Sequence, residues 1–233
     1  MKEKIINVLK CIFTILVFFT IGKLISLGFN YFGIDVSNID YKDYGFLEAL
    51  IELIMATIIF IIYQNYLKKD YDDFKNNYNN YMKDMFKFFA IFFALKIFSA
   101  LLTSVVGLII GENIGESENQ NTIILISKAA PIMTLLSTAI LAPIVEEGIF
   151  RLSIRKVISN KYLFILLSGL IFGFMHIFPT DLSISVALTY SITYVTMGIY
   201  LAYVYTETDN IWICIMLHAL NNLLSMLAIM FLA

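Results

Sequence analysis

LLSTAILAPIVEEGIFR, residues 135–151, sets the terms for the whole chain. An apolar run closes on two adjacent glutamates, and an arginine follows four residues after the second. Charged side chains at the centre of a bilayer cost about 2.5–3.5 kcal/mol each. Glu146, Glu147 and Arg151 must therefore face a protein interior or pair with one another, and such residues mark functional positions.

The flanking sequence shows that the bilayer is the relevant solvent. The chain has 233 residues, 60% hydrophobic and 15% charged, with mean hydropathy +0.82. Soluble domains run at about 45–50% apolar and about 25% charged. Apolar runs near the roughly 20 residues a spanning helix needs recur at residues 5–29, 46–67, 85–110, 123–145, 162–178, 182–205 and 211–232. The expected fold is all-α: a polytopic transmembrane helical bundle with seven to eight membrane segments. The eighth would come from Pro143, which lacks a backbone donor and disfavours a helical residue before it. A kink there would set residues 146–158 apart as a half-helix.

Net charge is −2, so no nucleic-acid partner is indicated; the expected partner is membrane lipid. Cys11 and Cys214 lie far apart in apolar runs, without a CxxC spacing. Lys2, Lys4 and Lys10 precede the first run. Arg155, Lys156 and Lys161 lie between the fourth and fifth. Acidic residues, among them Asp35, Asp40, Glu112, Glu116 and Glu118, dominate the alternate loops. The positive-inside rule then places the N-terminus in the cytoplasm. The polar stretch at residues 68–83, KKDYDDFKNNYNNYMK, reads as a solvated cytoplasmic loop.

On a helix, Glu147 and Arg151 share a face and can pair, while Glu146 points about 100° away. That geometry gives two carboxylates different environments, a recurrent arrangement for acid–base chemistry. A turn at residues 159–161 would fold residues 146–158 against residues 162–178. Glu146 and His176 would then lie at depths within about 4 Å of each other, with Gly169 and Gly173 allowing close helix approach. His218 and Asn222 share another helical face, with Asn221 about 60° away, and could stabilise an oxyanion. Taken singly, each group also suits structural pairing between helices. Glu48, Glu52, Lys96 and Lys128 are further charges near apolar runs, read as snorkelling or paired.

EExxxR (Glu146–Arg151), FxxxH (Phe172–His176) and HxxxN (His218–Asn222), in that order, resemble the CPBP family of intramembrane proteases. This family is also known as the CAAX-protease and bacteriocin-processing, or Abi, family. The resemblance covers about Lys128–Leu224. It implies an intramembrane endopeptidase acting on a lipidated protein or a leader peptide, in a bacterial plasma membrane given the Lys-, Asn- and Ile-rich composition. Residues 1–120 would be N-terminal transmembrane helices and residues 121–233 the catalytic core, within one integrated membrane domain. The resemblance assigns water activation to Glu146 and His176, support to Glu147, Arg151 and Phe172, and the oxyanion hole to His218 and Asn222. Gly198 and Ala202 would pack helices. A zinc shell of Glu146, His176 and His218 is the alternative. No HExxH occurs, so the expectation is a metal-independent mechanism without cofactor. A non-catalytic relative and a transporter are the competing classes.

Overall fold

A computed structural model describes residues 2–112, 114, 115, 117–178 and 180–232. Glu116 of the acidic loops lies outside the described residues. Among the described residues there are eight α-helical segments, a short 3-10 turn at Val36–Asn38 and no strand. They are α1 (Lys2–Tyr31), α2 (Tyr41–Asn76), α3 (Tyr78–Ile110), α4 (Glu118–Ala129), α5 (Pro131–Val157), α6 (Lys161–Met175), α7 (Ile184–Thr208) and α8 (Ile211–Leu232). Six of these are long and apolar enough to cross a membrane: α1, α2, α3, α5, α7 and α8. The shorter α6, at 15 residues, is also apolar. The protein is an all-α integral membrane protein.

Two expectations change in detail. Residues 68–83 are not a loop: α2 continues to Asn76, and α3 begins at Tyr78. The stretch contains no Gly or Pro, and extending a formed helix costs far less than nucleating one. The break expected at Pro143 falls earlier, at Ala130, whose φ of −137° and ψ of 61° precede Pro131 at the start of α5. That is where a residue before proline is driven away from helix.

Pro143 sits inside continuous helix because α5 widens around it. Residues Ser137–Leu141 form a π-helical turn, and the Ala142 N–H reaches the Ser137 carbonyl five residues back. The next donor in that register would be Pro143, which has none. A second π turn spans Gly148–Ser153.

The chain divides into two compact units, each drawing on both halves of the sequence. The first contains residues 1–68, 123–157 and 218–233. Within it, α1 packs on the C-terminal part of α5, with Phe18 edge-on to Phe150 at 5.9 Å. Gly45 admits Ile126 and Ala130. Gly148 admits Ile59 of α2.

The second unit contains residues 69–122 and 158–217. Its centre is α7, packed on α6 and α3. A Cβ on Gly169 would lie 2.6 Å from the Ile199 nitrogen, and one on Gly173 would lie 2.6 Å from that of Val195. The two glycines thus open α6 to α7. Gly198 answers from α7, where a Cβ would stand 2.8 Å from the Gly169 carbonyl oxygen, and Ala202 is fully buried. A cap closes the other end of this unit. The Asp70 carboxylate accepts the Ile211 N–H at 3.1 Å, and Asn210 Nδ2 donates to the Asp70 carbonyl at 2.7 Å.

Candidate active site

In the first unit, α5 and α8 bring five of the sequence-selected residues together. The π turn at Gly148–Ser153 carries Arg151, which is fully buried, as is Glu147. Arg151 Nε lies 3.0 Å from Glu147 Oε2. The other carboxylate oxygen, Oε1, accepts the Nδ1 hydrogen of His218 at 2.9 Å. Glu147 therefore spans a guanidinium and an imidazole, with a separate oxygen for each. Buried charge is tolerated only when paired and hydrogen-bonded in this way.

That contact fixes the histidine. A carboxylate can only accept, so Nδ1 carries the proton shared with Glu147. The far nitrogen, Nε2, lies 3.8 Å from Glu146 Oε2. The Glu146 side chain is 13% exposed and Glu147 is sealed. The two neighbouring carboxylates thus differ in surroundings and in partners. One anchors the imidazole, and the other stands at its reactive edge.

Asn222 is engaged on the same helices. Its Nδ2 donates to the Thr138 carbonyl at 2.8 Å, and Asn221 Nδ2 donates to Asn222 Oδ1 at 2.9 Å. Thr138 is the residue whose carbonyl the π register would pair with the missing Pro143 N–H. Asn222 supplies the donor that proline lacks. Motif spacing gave no sign of this link, although a proline within an apolar helix always leaves a carbonyl to be satisfied.

Two further carboxylates belong to this unit. Glu48 and Glu52 each bury one oxygen, Oε2, that has no hydrogen-bond partner among the described residues. Ser153 is fully buried among the residues of α5.

Phe172 and His176 belong to the second unit. His176 follows α6, and its Nδ1 donates to the Phe172 carbonyl at 2.9 Å. The Phe172 ring lies 4.6 Å from the imidazole. His176 borders a cavity of about 170 Å³, whose polar lining includes Ser117, Asn119, Thr180 and Tyr190. Among the described residues, no group of three His, Cys, Asp or Glu side chains is placed to hold a metal ion. Of the zinc ligands considered from the sequence, Glu146 and His218 share the first unit, and His176 lies in the second. The set does not assemble as a shell within either unit.

Comparison with known proteins adds a partial match to a family. The family model described as Type II CAAX prenyl endopeptidase Rce1-like matches residues 128–224. The chain is 36% identical over 110 residues to "Putative membrane peptidase YdiL" of Bacillus subtilis (strain 168), covering 46% of this chain and 41% of that protein. It is 31% identical over 134 residues to UPF0177 protein YvdC of Lactococcus lactis subsp. lactis (strain IL1403), covering 56% and 48% respectively. UPF0177 protein YajF of the same strain is 44% identical over 61 residues, covering 24% of this chain and 30% of YajF. The chain spans less than half the length of each of these three relatives. No solved structure matches it.

Proposed function

With residues 128–224 matching the Rce1-like family model, we propose that the protein is an intramembrane endopeptidase that hydrolyses a peptide bond with water activated by Glu146. The observation that carries the reading is the buried Glu147 carboxylate, bound at once by Arg151 and by His218 Nδ1. A carboxylate that holds the far nitrogen of a histidine fixes its tautomer and orientation. The geometry commits His218 Nε2, and not Nδ1, to face Glu146.

Chemically, Glu146 takes a proton from water as the water oxygen bonds to the scissile carbonyl carbon. The tetrahedral intermediate then collapses, the C–N bond breaks, and the proton passes from Glu146 to the leaving amine. With the proton on Nδ1, His218 Nε2 accepts a hydrogen bond from the attacking water and orients it beside Glu146, while Glu147 pairs with Arg151. His176 keeps the role in water activation that the family resemblance assigns to it, as a proposal. The protein is proposed to sit in a bacterial plasma membrane with its N-terminus in the cytoplasm.

The test is cleavage of a quenched-peptide library by purified protein in detergent. One arm carries a prenylated C-terminal cysteine motif and the other unprenylated leader-like peptides. Cleavage in one arm alone identifies the substrate class. Glu146→Gln, His176→Ala and His218→Ala are each expected to lose about 10²–10⁴-fold in rate while melting as folded proteins. Full activity of Glu146→Gln would refute the mechanism.

A further inference from the structure

We infer that Tyr194 and Ser117 are a positioning pair for His176. The inference rests on the proposed role of His176, and it is built wholly from residues of the second unit. Neither residue belongs to the three motifs.

The argument begins at the start of α4. Ser117 and Gln120 have the S-x-x-Q spacing of a capping box, and the Ser117 hydroxyl accepts the Gln120 N–H at 3.3 Å. That bond holds the hydroxyl of a residue that is only 7% exposed. The same oxygen meets the Tyr194 hydroxyl at 2.9 Å. Tyr194 lies on α7, and its ring stacks on His176 with centroids 4.7 Å apart and planes 17° from parallel. A near-parallel stack restrains the imidazole to one plane.

The opposite restraint comes from α6 itself. Nδ1 of His176 is committed to the Phe172 carbonyl, so rotation within that plane is blocked as well. The imidazole is held by a ring on its face and a carbonyl at its edge. The ring is tied in turn to a capped helix start. Close approach of α7 at Gly173, next to Tyr194 in the form of Val195, brings the ring within range. A side chain that acts on a reacting atom loses rate steeply when misplaced by about 1 Å. Tyr194 therefore acts through His176, without touching substrate.

The experiment uses the full chain and the same quenched-peptide library, with rates taken per folded protein after gel filtration. Tyr194→Leu removes the ring and is expected to lower kcat about tenfold or more, with KM within about twofold. Tyr194→Phe keeps the ring and restores most of kcat. Ser117→Ala matches Tyr194→Phe, and the double variant Ser117→Ala/Tyr194→Phe loses no more than either single one. A second measurement does not need turnover. The chain holds two histidines, so ring-labelled histidine gives two NMR signals, assigned with His176→Gln. The ring current of Tyr194 shifts the His176 signal upfield, and Tyr194→Leu abolishes that shift while Tyr194→Phe retains it. Unchanged kcat in Tyr194→Leu, or a His176 signal indifferent to that substitution, overturns the inference. A fully active His176→Ala removes the proposed role of His176. An inactive His176→Ala beside a fully active Tyr194→Leu removes only the positioning pair.

Discussion

Replacing Gly173 by alanine adds a single methyl group at one of the two close approaches between α6 and α7. The new Cβ would stand 2.6 Å from the Val195 nitrogen and 2.7 Å from its Cα, and would also meet Val195 Cγ2. A side-chain end could rotate away, but backbone atoms cannot. Ordinary contact begins at 3.4 Å, so α7 must retreat by about 0.8 Å, the difference between that distance and 2.6 Å. Overpacking of this kind costs about 1–3 kcal/mol, against about 1 kcal/mol gained by removing glycine from a helix interior. The expected net loss is about 0–2 kcal/mol, or up to a few degrees in Tm at about 2–4 °C per kcal/mol, and Gly173→Ala should fall about 1–3 kcal/mol below a glycine replaced without overpacking. Gly28→Ala is the control. That glycine is helical and has nothing within 4 Å of its Cβ position, so it should melt at or above the wild-type temperature. Thermal melting of both variants in one detergent decides the matter. A Gly173→Ala protein as stable as Gly28→Ala would refute the close α6–α7 contact and the route by which Tyr194 reaches His176.

Arg151→Ala leaves the buried Glu147 with one partner fewer and is expected to destabilise the protein by about 3–5 kcal/mol. An unchanged Tm with a large rise in KM would instead make Arg151 a substrate contact. Asp70→Ala strands the buried Ile211 N–H at the start of α8, a loss of about 1–3 kcal/mol. Faster hydrogen exchange at the Ile211 amide should accompany it, and unaltered exchange there would show the cap to be dispensable. In a background lacking Cys11 and Cys214, Asn160→Cys should react with an impermeant thiol reagent from the cytoplasmic side and Glu112→Cys from the outside. Both positions are exposed, and the reverse labelling pattern would invert the proposed orientation.

The sequence made the spanning helices readable because their signal is sheer length of apolar run, and six such helices are present. It misread residues 68–83 because polarity argues for solvent, not against helix. Lys, Asp and Asn on an already formed helix can stay helical in water, and Tyr81 reinforces this by binding Asp73 across the break at Asn77. The pairing of Glu147 with Arg151 was legible because helical spacing alone places them together. The contact between His218 and Glu147 was not. It joins residues 71 positions apart, and spacing within α8 says only that His218 and Asn222 share a face. The same limit explains Gly169 and Gly173. A small-residue stripe announces a close helix neighbour without naming it, and the neighbour proved to be α7.

Pro143 shows how one missing proton organises the first unit. Its absent N–H forces α5 either to break or to widen, and the chain widens at Ser137–Leu141. Widening leaves the Thr138 carbonyl without its backbone donor, deep in a helix where water cannot serve. Asn222 fills that need at 2.8 Å. One amide bond thereby sets both the height and the rotation of α8 beside α5. His218, one turn earlier on α8, is then presented to α5 one turn beyond Pro143, where Glu147 takes its Nδ1. Glu146 is left beside Nε2. The proline that reads as a helix breaker is thus the reason an asparagine is required on α8, and that asparagine fixes the register in which histidine and glutamates meet.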